Sequence, residues 1–531
     1  MKNIKKITGL LLAAVMTASA FSMTACEFLF SGPKQIDPID DNYRTFYQIF
    51  VGSFSDSNGD GIGDLRGIIN RIDYLNDGDI NSGNDLGVQG IWLSPIFESP
   101  SYHKYDAVDY YKIDAKFGTM DDLQELIGLC HQRNVKIILD LVINHSSSKN
   151  EWFLKFKEAR LSGDVGSKYY DYYSCVDSTS KVSGCTYTSL GGNWLYESNF
   201  SSEMPELNFD NPVVREDMLS LAKYYLDMGI DGFRFDAVKY VYFSDTKKSV
   251  DFWKWYMDEL IAYKPDIYCV GECWSAESEI LEYVDAMNCF NFALTGAESK
   301  LASAARGRGL FGYLNYVEGY QDKIQAISTD RMPMTFLSNH DMDRIAGAFI
   351  SDNHMKMAAN LYLLSPGSPM IYYGEEIGLL GSRGAANTDA NRRLAMLWGD
   401  GDGIQNPVGS TYDGQIESSV KDQLKNEESL LRHYSRLIAV RHKYPAIARG
   451  NYNVVTSEND QLGGYYIEYN GEIIGLFHNS SDQPIVVNLS ALDGLDGYSF
   501  SRLCDFVGLG SASLDGDLLI IDGQTSVILG K

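Results

Sequence analysis

A chain of 531 residues is too long for a single hydrophobic core and implies two or three domains, and its 44% hydrophobic and 12% aromatic content is ample to pack them. A formal charge of −26 argues against a nucleic-acid partner, whose phosphates select Lys and Arg; it fits a neutral substrate, although it also serves solubility alone. The 35 Tyr suit a cleft that stacks flat, hydroxylated ligands, since Tyr joins an apolar face to a polar tip, but large barrels are often rich in Tyr as well.

The N-terminus reads as a targeting segment and is set aside from fold reasoning. Lys2, Lys5 and Lys6 precede an apolar and small-residue run, Ile7 to Ala25, which closes on Met23-Thr24-Ala25-Cys26. The ending resembles a bacterial lipoprotein cleavage site, with Cys26 as the lipidated residue; Met23 departs from the Leu usual there. Residues 27–42 read as a flexible tether rich in Pro, Asp and Gly. No other run is long and apolar enough to span a bilayer. If Cys26 is acylated, an odd number of cysteines remains. Cys175 and Cys185 flank a Ser/Thr/Gly loop and are candidates to pair in an oxidising compartment, while Cys269 and Cys273 read as core. No CxxC pair suggests zinc.

Thr45 to Phe54 reads as an apolar strand. The loop after it, Asp56 to Asp64, carries oxygen side chains at alternate positions around Gly, which suits calcium with its many oxygen ligands. Gly90 to Phe97 is a second strand, Asp121 to Asn134 a helix, and Lys136 to His145 a third strand. Such alternation predicts parallel βα units. From Ser146 to Asn211 the rhythm breaks into a stretch rich in Ser, Gly, Tyr and Asn, too long for a plain loop.

Alternation resumes with Gly229 to Tyr240, where Ile230, Phe233, Phe235 and Val238 alternate with Arg234 and Asp236. Arg and Asp two apart on a strand share a face, and the cation keeps the carboxylate ionised. Alone, this is an ordinary structural ion pair. Two further strand-end carboxylates change that reading: Glu272 in Asp266 to Trp274 and Asp341 in Pro333 to Asp341. Phe290 to Leu294 and Met370 to Glu375 complete eight strands. Leu430 to His442 is a closing helix. Beyond Pro445, short strands at Tyr465 to Tyr469, Ile473 to Phe477, Ile485 to Leu489, Leu518 to Ile521 and Ser526 to Leu529 predict an all-β domain.

The motifs "DLVINHSS", "GFRFDAVKY", "VGECW" and "FLSNHD", in that order, resemble the signature regions of the α-amylase superfamily of glycoside hydrolases, and "YYGEEIG" resembles its last barrel strand. The resemblance spans roughly Tyr43 to Pro445. It implies an α/β fold: a (β/α)8 TIM barrel over residues 43–145 and 212–447, with domain B (146–211) inserted after the third strand and an antiparallel β-sandwich over 448–531. It also implies a calcium loop with Asp56, Asn58, Asp60, the Ile62 carbonyl and Asp64 as ligands. Tyr105, in Tyr102-His-Lys-Tyr-Asp106, resembles the family's Tyr that stacks under the sugar at the cleavage point. His145 and His340 match residues that bind the same sugar, and Arg234 the residue that orients the nucleophile.

Breaking an acetal requires an acid on the leaving oxygen and a group that meets the oxocarbenium-like transition state. Asp236 is assigned as the nucleophile, Glu272 as the acid and then base, and Asp341 as the ligand of sugar hydroxyls. Lys239 and Trp274 are expected to contact substrate. The resemblance implies that Ala237 and Lys239 favour α-1,4 linkages, whereas Met204-Pro-Glu-Leu-Asn208 lies between the family's versions for several specificities. The expected protein is therefore a monomeric, calcium-binding, retaining α-amylase. It would act on starch, maltooligosaccharides and related α-glucans, meeting the membrane only through its lipid. A neopullulanase, an oligosaccharide glucosidase, a transglycosylase and a glucan-binding protein with a dead barrel are the alternatives.

Overall fold

The computed structural model describes residues 39, 41–349, 351–495 and 497–531. The targeting segment, Cys26 and most of the tether lie outside these residues. Packed structure begins before Tyr43. Ile39 is fully buried, its carbonyl accepts from Gln89 Nε2, and Asp41 accepts from Arg449 Nε at 2.6 Å. The end of the expected tether therefore belongs to the barrel wall.

Seven parallel strands form the barrel: β1 (Phe46–Ile49), β2 (Gly90–Leu93), β3 (Lys136–Leu141), β4 (Gly232–Phe235), β5 (Tyr268–Gly271), β6 (Asn288–Cys289) and β7 (Met370–Tyr372). They run in the order β6-β5-β4-β3-β2-β1-β7. Every residue of these strands is buried except Lys136, at the start of β3, which is half-buried, so they read as near-continuous apolar runs rather than alternating ones. The ring closes through Pro333 to Asp341, which the sequence presents as a full strand. Here it makes only isolated parallel bridges, Phe290 with Met334 and Phe336 with Met370. The other expected barrel strands are all shorter than read, the first and the sixth among them. The first ends at Ile49 and turns into a 3-10 helix, Val51–Ser53. The stretch from Phe290 to Leu294 is a 3-10 turn because the Asn291 side chain accepts from Ala293 N and caps it.

Residues 146–211 include a small antiparallel sheet of Cys175–Asp177, Trp194–Glu197 and Tyr187–Gly191. The segment is tied back to the barrel by the bridge from His145 to Glu206. Cys175 and Cys185 are both free thiols. Cys175 stands opposite Tyr196 in its ladder.

The C-terminal domain packs two antiparallel sheets. The larger holds β8 (Asn451–Thr456), β9 (Leu462–Tyr469), β10 (Glu472–Asn479), β12 (Arg502–Gly508) and β15 (Thr525–Gly530). The smaller holds β11 (Ile485–Asn488), β13 (Ala512–Asp515) and β14 (Leu518–Ile521). Leu462, Phe477, Val527 and Leu529 meet Leu519 and Ile521 in a second core. The closing helix, Leu430–Lys443, ion-pairs with this domain through Lys443 and Asp505 at 2.7 Å. No helix among the described residues is long and apolar enough to cross a membrane.

Candidate active site

The site is built on β4 and the strands beside it. In the β3–β4 register Asp140 is the partner of Arg234, and both side chains are fully buried. Arg234 Nη1 donates to Asp140 Oδ1 at 2.9 Å and to Asp236 Oδ1 at 2.6 Å, and Nη2 lies 3.3 Å from Glu272 Oε2. One guanidinium thus reaches three carboxylates from three strands. Its apolar faces are covered by Trp92 and Tyr105 at 5.3 and 5.9 Å.

Asp236 is followed by Ala237, a non-Gly residue in the left-handed region with φ 49°. This turn aims the Ala237 N–H at Glu272 Oε2, 3.0 Å away. Two main-chain bonds, Glu272 N to Phe235 O at 2.9 Å and Val238 N to Glu272 O at 3.1 Å, fix the two strand ends together. Burial pushes the Glu272 carboxyl up to about 8, with Asp236 and Asp341 adding to the rise against the pull of Arg234. A carboxyl there stays protonated at neutral pH and serves as an acid. Burial likewise raises Asp140 to about 7.

Asp341 behaves oppositely. Burial opposes its charge, but His340, Arg393 and Arg234 hold its carboxyl well below the usual range. His340 Nε2 sits 3.0 Å from Asp341 Oδ2, and Arg393 Nη2 donates to Oδ1 at 2.6 Å. Gln48 Nε2 donates to His340 Nδ1 at 2.7 Å, so the proton of the neutral imidazole is on Nε2. Burial favours that neutral form. Tyr105 stacks on His340 with centroids 5.4 Å apart and donates its hydroxyl to Asp140 Oδ2 at 2.9 Å.

These groups open into a cleft of about 820 Å³. Tyr105, His145, Asp236, Lys239, Glu272, Trp274 and Asp341 line it, and Arg234 and His340 stand directly behind. The structure therefore brings together every catalytic and substrate residue expected from the motifs. Trp274 is exposed and stacks on Phe292 at 5.2 Å, and Lys239 Nζ donates to its carbonyl at 2.8 Å. His145 Nε2 lies 3.2 Å from the Tyr105 carbonyl. Asp140 sits inside a quoted motif, yet its role as the second anchor of Arg234 was missed. Also missed were Tyr102, His103, Phe200 and Arg393 in the cleft wall. Tyr102 and His103 lie in the quoted Tyr102 to Asp106 segment. No local signal marks the others.

The expected calcium ligands form one compact loop away from this chemistry. Asp56 accepts from the amides of Asn58, Gly59 and Gly61, Asn58 from that of Asp60, and Asp60 from that of Ile62. Asp64 accepts from Ser57 N and caps the helix Leu65–Asn70 through Gly67 N. The donors are all oxygen, the chemistry of a hard-cation site. Among the described residues no three His, Cys, Asp or Glu side chains are grouped as a metal ion would require.

The alpha amylase catalytic domain family matches residues 48–450. The chain belongs to the α-amylase family. It is 36% identical to Alpha-amylase 3 of Dictyoglomus thermophilum over 82% of this chain and 84% of that protein. Identity is 30% to a 4-alpha-glucanotransferase of Thermotoga neapolitana, over 83% and 96%. Among solved structures, Eubacterium rectale Amy13B superposes with a TM-score of 0.85 at 32% identity, covering 94% of this chain and 97% of that one. Family membership agrees with the barrel, the sandwich and the carboxylates at the strand ends.

The triple use of Arg234 has a measurable consequence. Arg234→Met should destabilise the fold by roughly 3–5 kcal/mol, because buried carboxylates lose their cation. The loss should be greatest at pH 8 and above, and smaller at pH 5.5, where Asp140 and Glu272 carry protons. Urea unfolding at the two pH values measures it; an equal loss at both would show that the carboxylates do not depend on this cation.

Proposed function

We propose that this enzyme of the α-amylase family hydrolyses internal α-1,4-glucosidic bonds of starch and related α-glucans with retention of configuration. The observation that carries this reading is a buried Glu272, bonded to the Ala237 amide at 3.0 Å, beside an Asp236 that Arg234 holds at 2.6 Å. Glu272 gives its proton to the leaving glycosidic oxygen as Asp236 attacks the anomeric carbon. The shorter glucan leaves and a glycosyl-enzyme ester remains on Asp236. Glu272, now a carboxylate, takes a proton from water, which displaces Asp236, so the anomeric centre is inverted twice. Asp341 and His340 hold sugar hydroxyls through the transition state. Ala237 and Lys239 favour α-1,4 over α-1,6 bonds. The glucanotransferase among the relatives supports one second reading, in which a sugar hydroxyl replaces the water.

Calcium belongs to the same reading, supported by the all-oxygen donor set of Asp56, Asn58, Asp60, Ile62 and Asp64. Its chemistry there is structural, tying the loop after β1 to the helix that follows. Lipidation at Cys26, supported by the N-terminal sequence pattern, places the enzyme on the bacterial cell surface.

Reducing-sugar release from soluble starch and from pullulan, side by side, tests the activity. Starch cleavage should dominate, and Glu272→Gln and Asp236→Asn should each lose several orders of magnitude with the fold intact. Because the acid must be protonated, the rate on starch should fall as pH rises through about 8. Comparable pullulan cleavage would place the enzyme with the neopullulanases, and long transfer products with the glucanotransferases. Chelation by EDTA should lower the melting temperature and added calcium should restore it; an unmoved melt would leave the loop held by its own hydrogen bonds. Radiolabelled palmitate should enter the full-length protein in a bacterial host, and Cys26→Ser should abolish that labelling; unchanged labelling would dismiss the anchor.

A further inference from the structure

Asp236 and Glu272 each follow directly on a hydrogen-bonded barrel strand. Asp341 does not: the segment leading to it makes only the bridges at Met334 and Phe336, and none of the barrel's ladders extends to Asp341. Its position must be set by other means, and two consecutive arginines on the loop after β7 supply them. Arg393, with a buried side chain, spreads its guanidinium over three acceptors: Asp341 Oδ1 at 2.6 Å, the His340 carbonyl at 2.9 Å and the Tyr102 hydroxyl at 3.0 Å. Arg392 Nη1 donates to the Asp341 carbonyl at 2.7 Å and to Asp389 Oδ1 at 3.0 Å, while its Nε holds Asp343 at 2.7 Å.

The loop is itself fixed to the barrel. The Arg392 carbonyl accepts from Arg344 Nε at 3.1 Å and Tyr372 Oη at 3.0 Å, and Arg344 Nη1 donates to the Tyr373 carbonyl at 2.6 Å. A continuous chain of hydrogen bonds therefore runs from the end of strand β7 to Asp341 through these side chains. An Arg fork suits the task, since one rigid plane can hold a carboxylate and a neighbouring carbonyl together.

We propose that Arg393 is the positioning residue of Asp341, with Arg392 securing the same residue's backbone, so that the loop after β7 is part of the catalytic apparatus. The inference rests on the reading of Asp341 as the ligand of sugar hydroxyls. Asp341 is also faced by His340, Arg234, His103 and Arg383, by the hydroxyls of Tyr102 and Tyr105, and by the carboxyl of Glu272. Replacing Arg393 leaves all of these in place.

The experiment compares Arg393→Met and Arg393→Lys with wild type on starch and on 4-nitrophenyl α-maltoside, together with the double variant Arg393→Met, Asp341→Asn. Arg393→Met should lower kcat roughly 100-fold, the scale of losing one positioned charged donor, with a smaller change in KM. Its acid limb should move to higher pH, because Asp341 loses a cation that keeps it ionised. Arg393→Lys should restore the limb but only part of kcat. In the Asp341→Asn background, Arg393→Met should cost less than tenfold. Losses that multiply in the double variant, an unmoved acid limb, or a lower melting temperature with kcat retained would each overturn the proposal. Wild-type activity on the aryl maltoside without activity on starch would instead reject the starch reading and leave the Arg393 comparison intact. Inactivity on both would reject Asp341's catalytic role and the proposal with it.

Discussion

The site depends on a single buried cation among three carboxylates. Arg234 is walled off from solvent by Trp92 and Tyr105, and it touches Asp140, Asp236 and Glu272. One positive charge cannot neutralise three negative ones in a medium that screens poorly. The excess is relieved by protons, and burial decides where they reside. Glu272, whose contact with Arg234 is the longest of the three, and Asp140 are both raised, burial being the first cause for each. The raised Glu272 carboxyl is thus a consequence of burial and of neighbouring carboxylates in a dry site. Asp140 contributes no contact to the cleft, yet it anchors the guanidinium that organises the others.

The opposite end of the site follows a different logic. Asp341 is kept ionised by a concentration of donors, including His340 with its proton fixed on Nε2 by Gln48. The cleft therefore carries one carboxyl that burial pushes up and one that its donors hold down.

Much of this was legible in the sequence. Asp236, Glu272 and Asp341 each stand at the end of a short apolar run, and such runs are local signals. Barrel, inserted segment and closing helix follow from the alternation of strands and helices. The remainder depended on distant partners. Asp140 acquires its role only through register with Arg234, 94 residues away, and Arg393 meets Asp341 across 52 residues. The weakness of Pro333 to Asp341 as a strand is a matter of pairing geometry, and its apolar residues read like those of any other strand. In the sandwich, β12 was missed because a register shift between Leu503 and Asp505 breaks its alternation. β8 and β13 were missed because Asn451, Asn453, Ser513 and Asp515 dilute their apolar pattern.

Ala237 has a wider consequence. Its left-handed backbone costs an alanine about 1–3 kcal/mol that a glycine would largely avoid. In return the peptide after the nucleophile is locked onto the acid, so the chain itself serves as a ruler between the two. The relation between Asp236 and Glu272 is written in main-chain bonds at the barrel mouth. Loops farther out, including Phe200 and the stretch near Met204, stand apart from that ruler. Divergence among relatives with different products can proceed through such loops while the gauge at the centre stays constant.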